Sequence, residues 1–270
     1  VSEPPLRVLL VSPRPEDEDT GYLDHRVSAR PLVEALAPLG KLARLTLLQP
    51  PTWPALQAEL ACAQQAGEPY HIVHFDGHGV YQRRRGAEPG NRLDLGALVF
   101  EHPADAEKAE RRRSQIVAAD QIGQTLHDQR VPLVFLEACQ SAQAEQNPTA
   151  SVAGRLLLAG VASVVAMSHS VLVETARRFG EVFYPHLLQG ARVGQAMLAA
   201  QQALYADPCR GKAFDGELRL HDWFVPVLFQ EENDPQLVRA TPAKTVQEQI
   251  RKARELALGR LPPVPPHRFI

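Results

Sequence analysis

The run Val131-Pro132-Leu133-Val134-Phe135-Leu136 has no polar face. A strand with one wet side alternates apolar and polar residues. An unbroken apolar run of this length marks a strand covered on both sides, as in a parallel sheet. His71-Ile72-Val73-His74-Phe75 has the same character. Parallel neighbours need a crossover between them, usually a helix, and the chain supplies helices at the right places. Strands are expected over Arg7 to Ser12, Leu42 to Leu48, His71 to Phe75, Val131 to Leu136, Ala162 to Met167 and Phe224 to Phe229. Between them lie helical patterns over Ser28 to Leu39, Trp53 to Gln65, Ala118 to Asp128, Ala150 to Leu158, Glu174 to Leu188 and Val193 to Tyr205. The expected fold is therefore α/β, a roughly six-stranded, mostly parallel sheet with helices on both faces. Pro226 inside the last strand assigns it to a sheet edge.

One stretch breaks the alternation. Tyr81 to Arg113 carries two arginine triplets, Arg83 to Arg85 and Arg111 to Arg113, around a short apolar piece, Leu95 to Glu101. It is expected as an excursion from the sheet rather than a layer of it, with Leu95 to Glu101 as a hairpin arm. The fold domain is placed at residues 6–230. Residues 231–258 are expected as a polar segment with a charged helix, Val246 to Leu258, outside the core. Residues 259–270, with Leu261-Pro262-Pro263-Val264-Pro265-Pro266, form a stiff linker to a further module. The absence of an initiator Met also suggests part of a longer chain.

Composition excludes several function classes. With 270 residues and a net charge of −2, the chain offers no general attraction for nucleic acid or a membrane surface. No apolar run approaches the ~20 residues that span a bilayer, and the N-terminus has no signal-peptide pattern. The three cysteines, Cys62, Cys139 and Cys209, are an odd count without a CxxC. Neither a zinc site nor a disulfide framework is suggested, and a reducing cytoplasm is the simplest home. No metal and no cofactor are expected; the phosphate-binding motifs GxGxxG and GxxxxGK[ST] are missing.

The chemistry is expected at the strand ends. In open α/β sheets, sites form at the carboxyl edge. Cys139 follows one apolar strand, and His78, between Gly77 and Gly79, follows another. A thiol and an imidazole so placed are a candidate nucleophile and base. Backbone N–H groups of Gly79 and Cys139 would point into the same notch, where a developing oxyanion needs donors. Each residue alone also has a structural reading: free cysteine is among the most buried residue types, and His78 could simply sit in a turn. His74, within its strand, is expected to be packed beneath the site. His169, after the fifth strand, is a candidate for lining the cleft. Cys62 and Cys209 are expected to be incidental.

The segments HIVHFDGHG (His71 to Gly79), VFLEACQSA (Val134 to Ala142), the block Val152 to Leu204, and DWFVPVLFQ (Asp222 to Gln230) resemble the CHAT domain family. These are caspase-like domains in the wider group of caspases, separase and clostripain. The resemblance covers Arg7 to about Gln230. Family members often carry a tryptophan after the fifth strand, where this chain has Ser168-His169-Ser170. The resemblance implies a caspase-like fold and a cysteine endopeptidase with a His78–Cys139 dyad. Gly79 and Cys139 would supply oxyanion N–H groups, and a peptide bond would be cut through a thioester. Glu137 sits where related arginine-specific enzymes carry an acid, which implies a pocket for Arg or Lys. Asp76, Asp215 and Asp222 would contribute less; Asp76 could instead order the His78 turn. If Arg is preferred, the two arginine triplets are candidate self-processing sites. The final residues, Pro266 to Ile270, resemble the lead-in to a STAND-type NTPase. The implied whole is a protease domain of a bacterial signalling or defence sensor, attached to an NTPase and repeats, acting on a protein substrate. The alternatives are a catalytically idle peptide-binding module and a small-molecule-binding α/β domain.

Overall fold

The structure is a computed structural model and describes residues 1–16, 29–82, 95–108, 110–138, 151–168, 172–213 and 216–259. In chain order, β1 (Leu6–Val11) leads to α1 (Arg30–Leu36), which tightens into a 3-10 helix (Ala37–Leu42) before β2 (Ala43–Leu47). Then follow α2 (Trp53–Gln65), β3 (Ile72–Gly77), β4 (Gly79–Gln82), β5 (Leu95–Glu101), β6 (Ser114–Ala118) and α3 (Ala119–Asp128). The second half runs β7 (Leu133–Ala138), α4 (Val152–Leu158), β8 (Ser163–Met167), α5 (Val173–Leu188) and α6 (Val193–Ala206). The hairpin β9 (Cys209–Ala213) and β10 (Gly216–Arg219), β11 (Pro226–Gln230) and α7 (Ala243–Gly259) close the described chain.

The main sheet has six strands in the order β11-β8-β7-β3-β1-β2. All neighbours are parallel except β11, which runs antiparallel to β8 along one edge. The α/β class, the mostly parallel sheet and the edge position of the Pro226 strand are as the sequence predicts. Side chains alternate between two separate cores. Leu133, Phe135 and Ile72 face Leu32, Phe179, Phe183 and Leu187 on one side. Val134, Leu136, Val73 and Phe75 face Leu56, Leu60, Ile122 and Leu156 on the other. Two apolar layers on one sheet explain why its central strands have no polar side.

Two details differ from the sequence reading, and one bears it out. β3 and β7 each end two residues later than their apolar runs, because pairing continues through Asp76 opposite Glu137 and Gly77 opposite Ala138. The excursion is, as expected, not a layer of the main sheet: β4, β5 and β6 form a separate three-stranded sheet with β5 in the middle. Leu98 and Phe100 of β5 are buried in the second core. Finally, the charged C-terminal helix is not outside the core. Val246 is fully buried in the first core with Leu237 and Val238, and Ile250 packs against it. Its polar residues hide a narrow apolar stripe, which charge content obscures.

Candidate active site

The carboxyl edge of the main sheet is organised by β3 and β7. Their parallel register runs to Gly77 opposite Ala138. The next residue on β3 is His78, partly exposed. Among the described residues its imidazole has no hydrogen-bond partner, so no carboxylate stands behind it as a third member. Its backbone, by contrast, is fixed: Val99 N–H donates to the His78 carbonyl at 3.0 Å. Gly79 lies opposite Leu98. A bond from Val99 to residue 78 makes Gly79–Leu98 a non-hydrogen-bonded pair of the ladder, so the Gly79 N–H is not spent on β5. Gly77 has a packing reason to be glycine. A Cβ there would lie 2.8 Å from the Phe75 ring and 3.3 Å from Pro13.

Beside this turn lies a buried ion pair. Arg14 Nη2 meets Asp76 Oδ2 at 2.5 Å, with side-chain exposures of 10% and 2%. Arg14 Nη1 donates to the Asp76 carbonyl at 2.6 Å, and Ser12 Oγ donates to Asp76 Oδ2 at 3.1 Å. The Arg14 backbone N–H donates to Glu101 Oε1 at 2.9 Å, which ties the same residue to the small sheet. Asp76 is thus committed within the protein. It orders the turn that carries His78, and its charge is not offered to a ligand.

Glu137 is different. It lies opposite Asp76 on the same face of the sheet, with 13% of its side chain exposed. Among the described residues its carboxylate has no hydrogen-bond donor. Its ionic neighbour is His74, whose Nε2 is 3.3 Å from Glu137 Oε2. That contact lies off the hydrogen-bond axis, and no described residue gives Nε2 an aligned partner. His74 is 1% exposed and stacks on Phe135, centroids 4.7 Å apart. The Tyr184 hydroxyl faces its Nδ1 at 3.4 Å. Burial, and secondarily the charge of Glu137, holds Tyr184 well above the usual tyrosine range, so it stays a neutral phenol. Together these residues and Pro31, Leu32, Phe179 and Gly180 line a narrow cleft between the sheet, α1 and α5.

Cys139 lies outside the described residues, as do His169, Asp215 and Arg83 to Arg85. Of the other expected acids, Asp222 is held internally. Arg210, with a fully buried side chain, donates through Nη2 to Asp222 Oδ1 at 2.7 Å, and the Thr175 hydroxyl binds the other oxygen. Arg112 pairs with Glu101 at 3.1 Å, and Arg113 pairs with Asp105 at 2.8 Å; Arg111 is exposed with φ 57°. Cys62 is exposed on α2 and Cys209 is partly exposed. Arg14 and Tyr184 were not singled out by the sequence. Arg14 sits in a Pro-rich stretch that reads only as loop, and Tyr184 sits on an apolar helix face that reads only as core.

Among the described residues no group of three or more His, Cys, Asp or Glu is placed to hold a metal ion. No described helix is long and apolar enough to cross a membrane.

A mostly parallel α/β sheet covered by helices on both faces, with an HG turn leaving β3 at its carboxyl edge, defines an α/β domain whose candidate site lies at the strand ends. The CHAT domain family model matches residues 6–244, and the chain belongs to that family. Among solved structures, the chain is similar to protein GSU0716 from Geobacter sulfurreducens. The two are 14% identical with a TM-score of 0.46, and the match covers 88% of this chain and 98% of that one. No curated protein matches the chain.

Proposed function

We propose that this chain is a cysteine endopeptidase whose His78 and Cys139 form a catalytic dyad. The observation that carries this reading is the β3–β7 register. Parallel pairing continues to Gly77 and Ala138, and the next residues in the two segments are His78 and Cys139. A Cα is about 3.8 Å from its neighbour along the chain, and paired strands are about 4.8 Å apart. Those spacings bring the paired strand ends, Gly77 and Ala138, within a few ångströms of each other. Cys139 attacks the substrate carbonyl, and His78 delivers a proton to the leaving amine and then activates water. The N–H groups of Gly79 and Cys139 hold the oxyanion. The Gly79 N–H, not spent on β5, supports its part in this. Glu137 receives a basic side chain, because among the described residues no arginine or lysine is fixed to it, whereas Asp76 has Arg14.

The same reading makes the domain the protease part of a larger bacterial sensor. It is joined to a STAND-type NTPase and repeats, works in the cytoplasm in signalling or defence, and acts on a protein substrate. The deciding experiment is labelling by a peptidyl thiol-reactive probe in the full-length chain. Labelling at Cys139, lost in Cys139→Ala and in His78→Ala, is the expected result. No labelling and no turnover under activating conditions would favour the idle peptide-binding module. Glu137→Gln should lower turnover of Arg substrates far more than reaction with a small thiol reagent. Equal losses would reduce Glu137 to a supporting role.

A further inference from the structure

We propose that His74 is a positioning residue that sets the charge presented by Glu137, so that selection of a basic side chain is switched by pH. This rests on the reading of Glu137 given above. A core-facing position in the middle of a buried strand ordinarily holds an aliphatic side chain. Here it holds an imidazole 1% exposed, flat against Phe135. Burying such a ring is costly, and one hydroxyl and one carboxylate stand beside it. Tyr184 on α5 offers its hydroxyl to Nδ1 at 3.4 Å. Tyr184 keeps its proton, since burial holds it as a phenol. With that proton directed to Nδ1, the ring's own proton sits on Nε2, which faces Glu137 at 3.3 Å.

Among the described residues this pair stands apart from other charges. On β3, Asp76 shares the face with His74, but Arg14 and Ser12 take up its carboxylate. On β1, the residue in register with His74 is Leu10. From α1 come Pro31 and Leu32, and from α5 come Ala176, Phe179 and Gly180 beside Tyr184. The charged residues of α5, Glu174, Arg177, Arg178 and Glu181, are occupied among themselves and with Asp207 and Arg254. Among the described residues, the charge in contact with His74 is Glu137.

Two states follow. With neutral His74, the cleft presents an uncompensated carboxylate. With protonated His74, the carboxylate is matched in place, and an arriving guanidinium meets a cation as well as an anion. A second like charge a few ångströms away in a partly desolvated site weakens cation binding by roughly tenfold to a hundredfold.

The test compares two peptidyl thiol-reactive probes on the full-length chain. One has arginine beside the reactive group; the other has citrulline, which keeps the shape and lacks the charge. The ratio of labelling rates at Cys139 is followed from about pH 5.5 to 8, above the ordinary carboxylate range and across that of histidine. Taking a ratio removes the titration of the dyad itself. The expected wild-type ratio rises with pH by tenfold or more, with its midpoint at the titration of the His74 ring followed by NMR. In His74→Gln the ratio should stay at its high-pH value throughout. A wild-type ratio well above one but flat with pH would overturn the inference and leave the Glu137 reading standing. So would a midpoint that does not coincide with His74, a comparison that stands even if His74→Gln fails to fold. A ratio of one at every pH would overturn both, and absence of any labelling at Cys139 would overturn the endopeptidase reading with them.

Discussion

Replacing Arg14 by methionine removes the cation from a carboxylate that has nowhere to go. Asp76 is 2% exposed at its side chain, and Arg14 is 10% exposed. Methionine preserves the length of the stem but returns neither the contact at 2.5 Å nor the bond to the Asp76 carbonyl at 2.6 Å. Ser12 remains as a neutral donor to Asp76. Breaking one side of a buried pair in this way costs about 3–5 kcal/mol. For a chain of this size each kcal/mol moves the melting temperature by roughly 2–4 °C. Arg14→Met should therefore melt roughly 6–20 °C below wild type at neutral pH, followed by circular dichroism. The sharper part is the double substitution. Adding Asp76→Asn removes the stranded charge, so Arg14→Met/Asp76→Asn should be more stable than the sum of the single losses predicts, with a coupling of about 1–3 kcal/mol. A single-variant shift below about 1 kcal/mol, or strict additivity in the double, would refute the argument that this pair is desolvated and mutually dependent.

Three further outcomes are expected. His71 is buried and accepts the Arg7 N–H at 2.9 Å; burial first, then the nearby Arg7 charge, lowers its pKa to about 4. The unfolded chain therefore binds this proton first as pH falls. Stability should be unaffected above about pH 6.5 and decline by up to about 3 kcal/mol between pH 6.5 and 4, a slope that urea melts should find shallower in His71→Gln. Gly180 lets α5 approach α1, since a Cβ there would lie 2.8 Å from the Ala35 Cβ. Gly180→Val should destabilise by about 1–3 kcal/mol, read from the urea midpoint, and an unchanged midpoint would mean the helices yield freely. Phe135 stacks on His74 and meets Phe179 and Phe183 edge-on. Phe135→Ala should cost about 3–5 kcal/mol in the same melts.

The layout of the sheet was legible because its cause is local. Strands covered on both faces are largely apolar, and Leu133 to Leu136 together with Ile72, Val73 and Phe75 say so within a few residues. Where the strands stop was not legible, because Asp76 is tolerated by an arginine 62 positions away. The short strands β4, β6, β9 and β10 escaped for a related reason: each exists through pairing, with too few residues to show a period. Val246 was hidden among charges that face the other way. At the candidate site, His74 was correctly placed inside the strand and packed. Its partner Tyr184 lies 110 positions on, and nothing in the spacing of an apolar helix announces a hydroxyl aimed across the core. Glu137 was singled out by its distance from Cys139. Its contrast with Asp76 emerged only when the two were seen side by side, one neutralised and one not.

The junction at His78 has a mechanical meaning. The residue is the single peptide unit between the last residue of β3 and the first of β4, so it is the corner shared by the large sheet and the small one. Its carbonyl is tethered to Val99 on the small sheet, while Arg14 braces the preceding residues and holds Glu101 at the far end of β5. A tilt of the three-stranded sheet against its neighbour cannot be absorbed by slack in a loop, because there is none. Torque on the small sheet is delivered to the backbone that carries the imidazole.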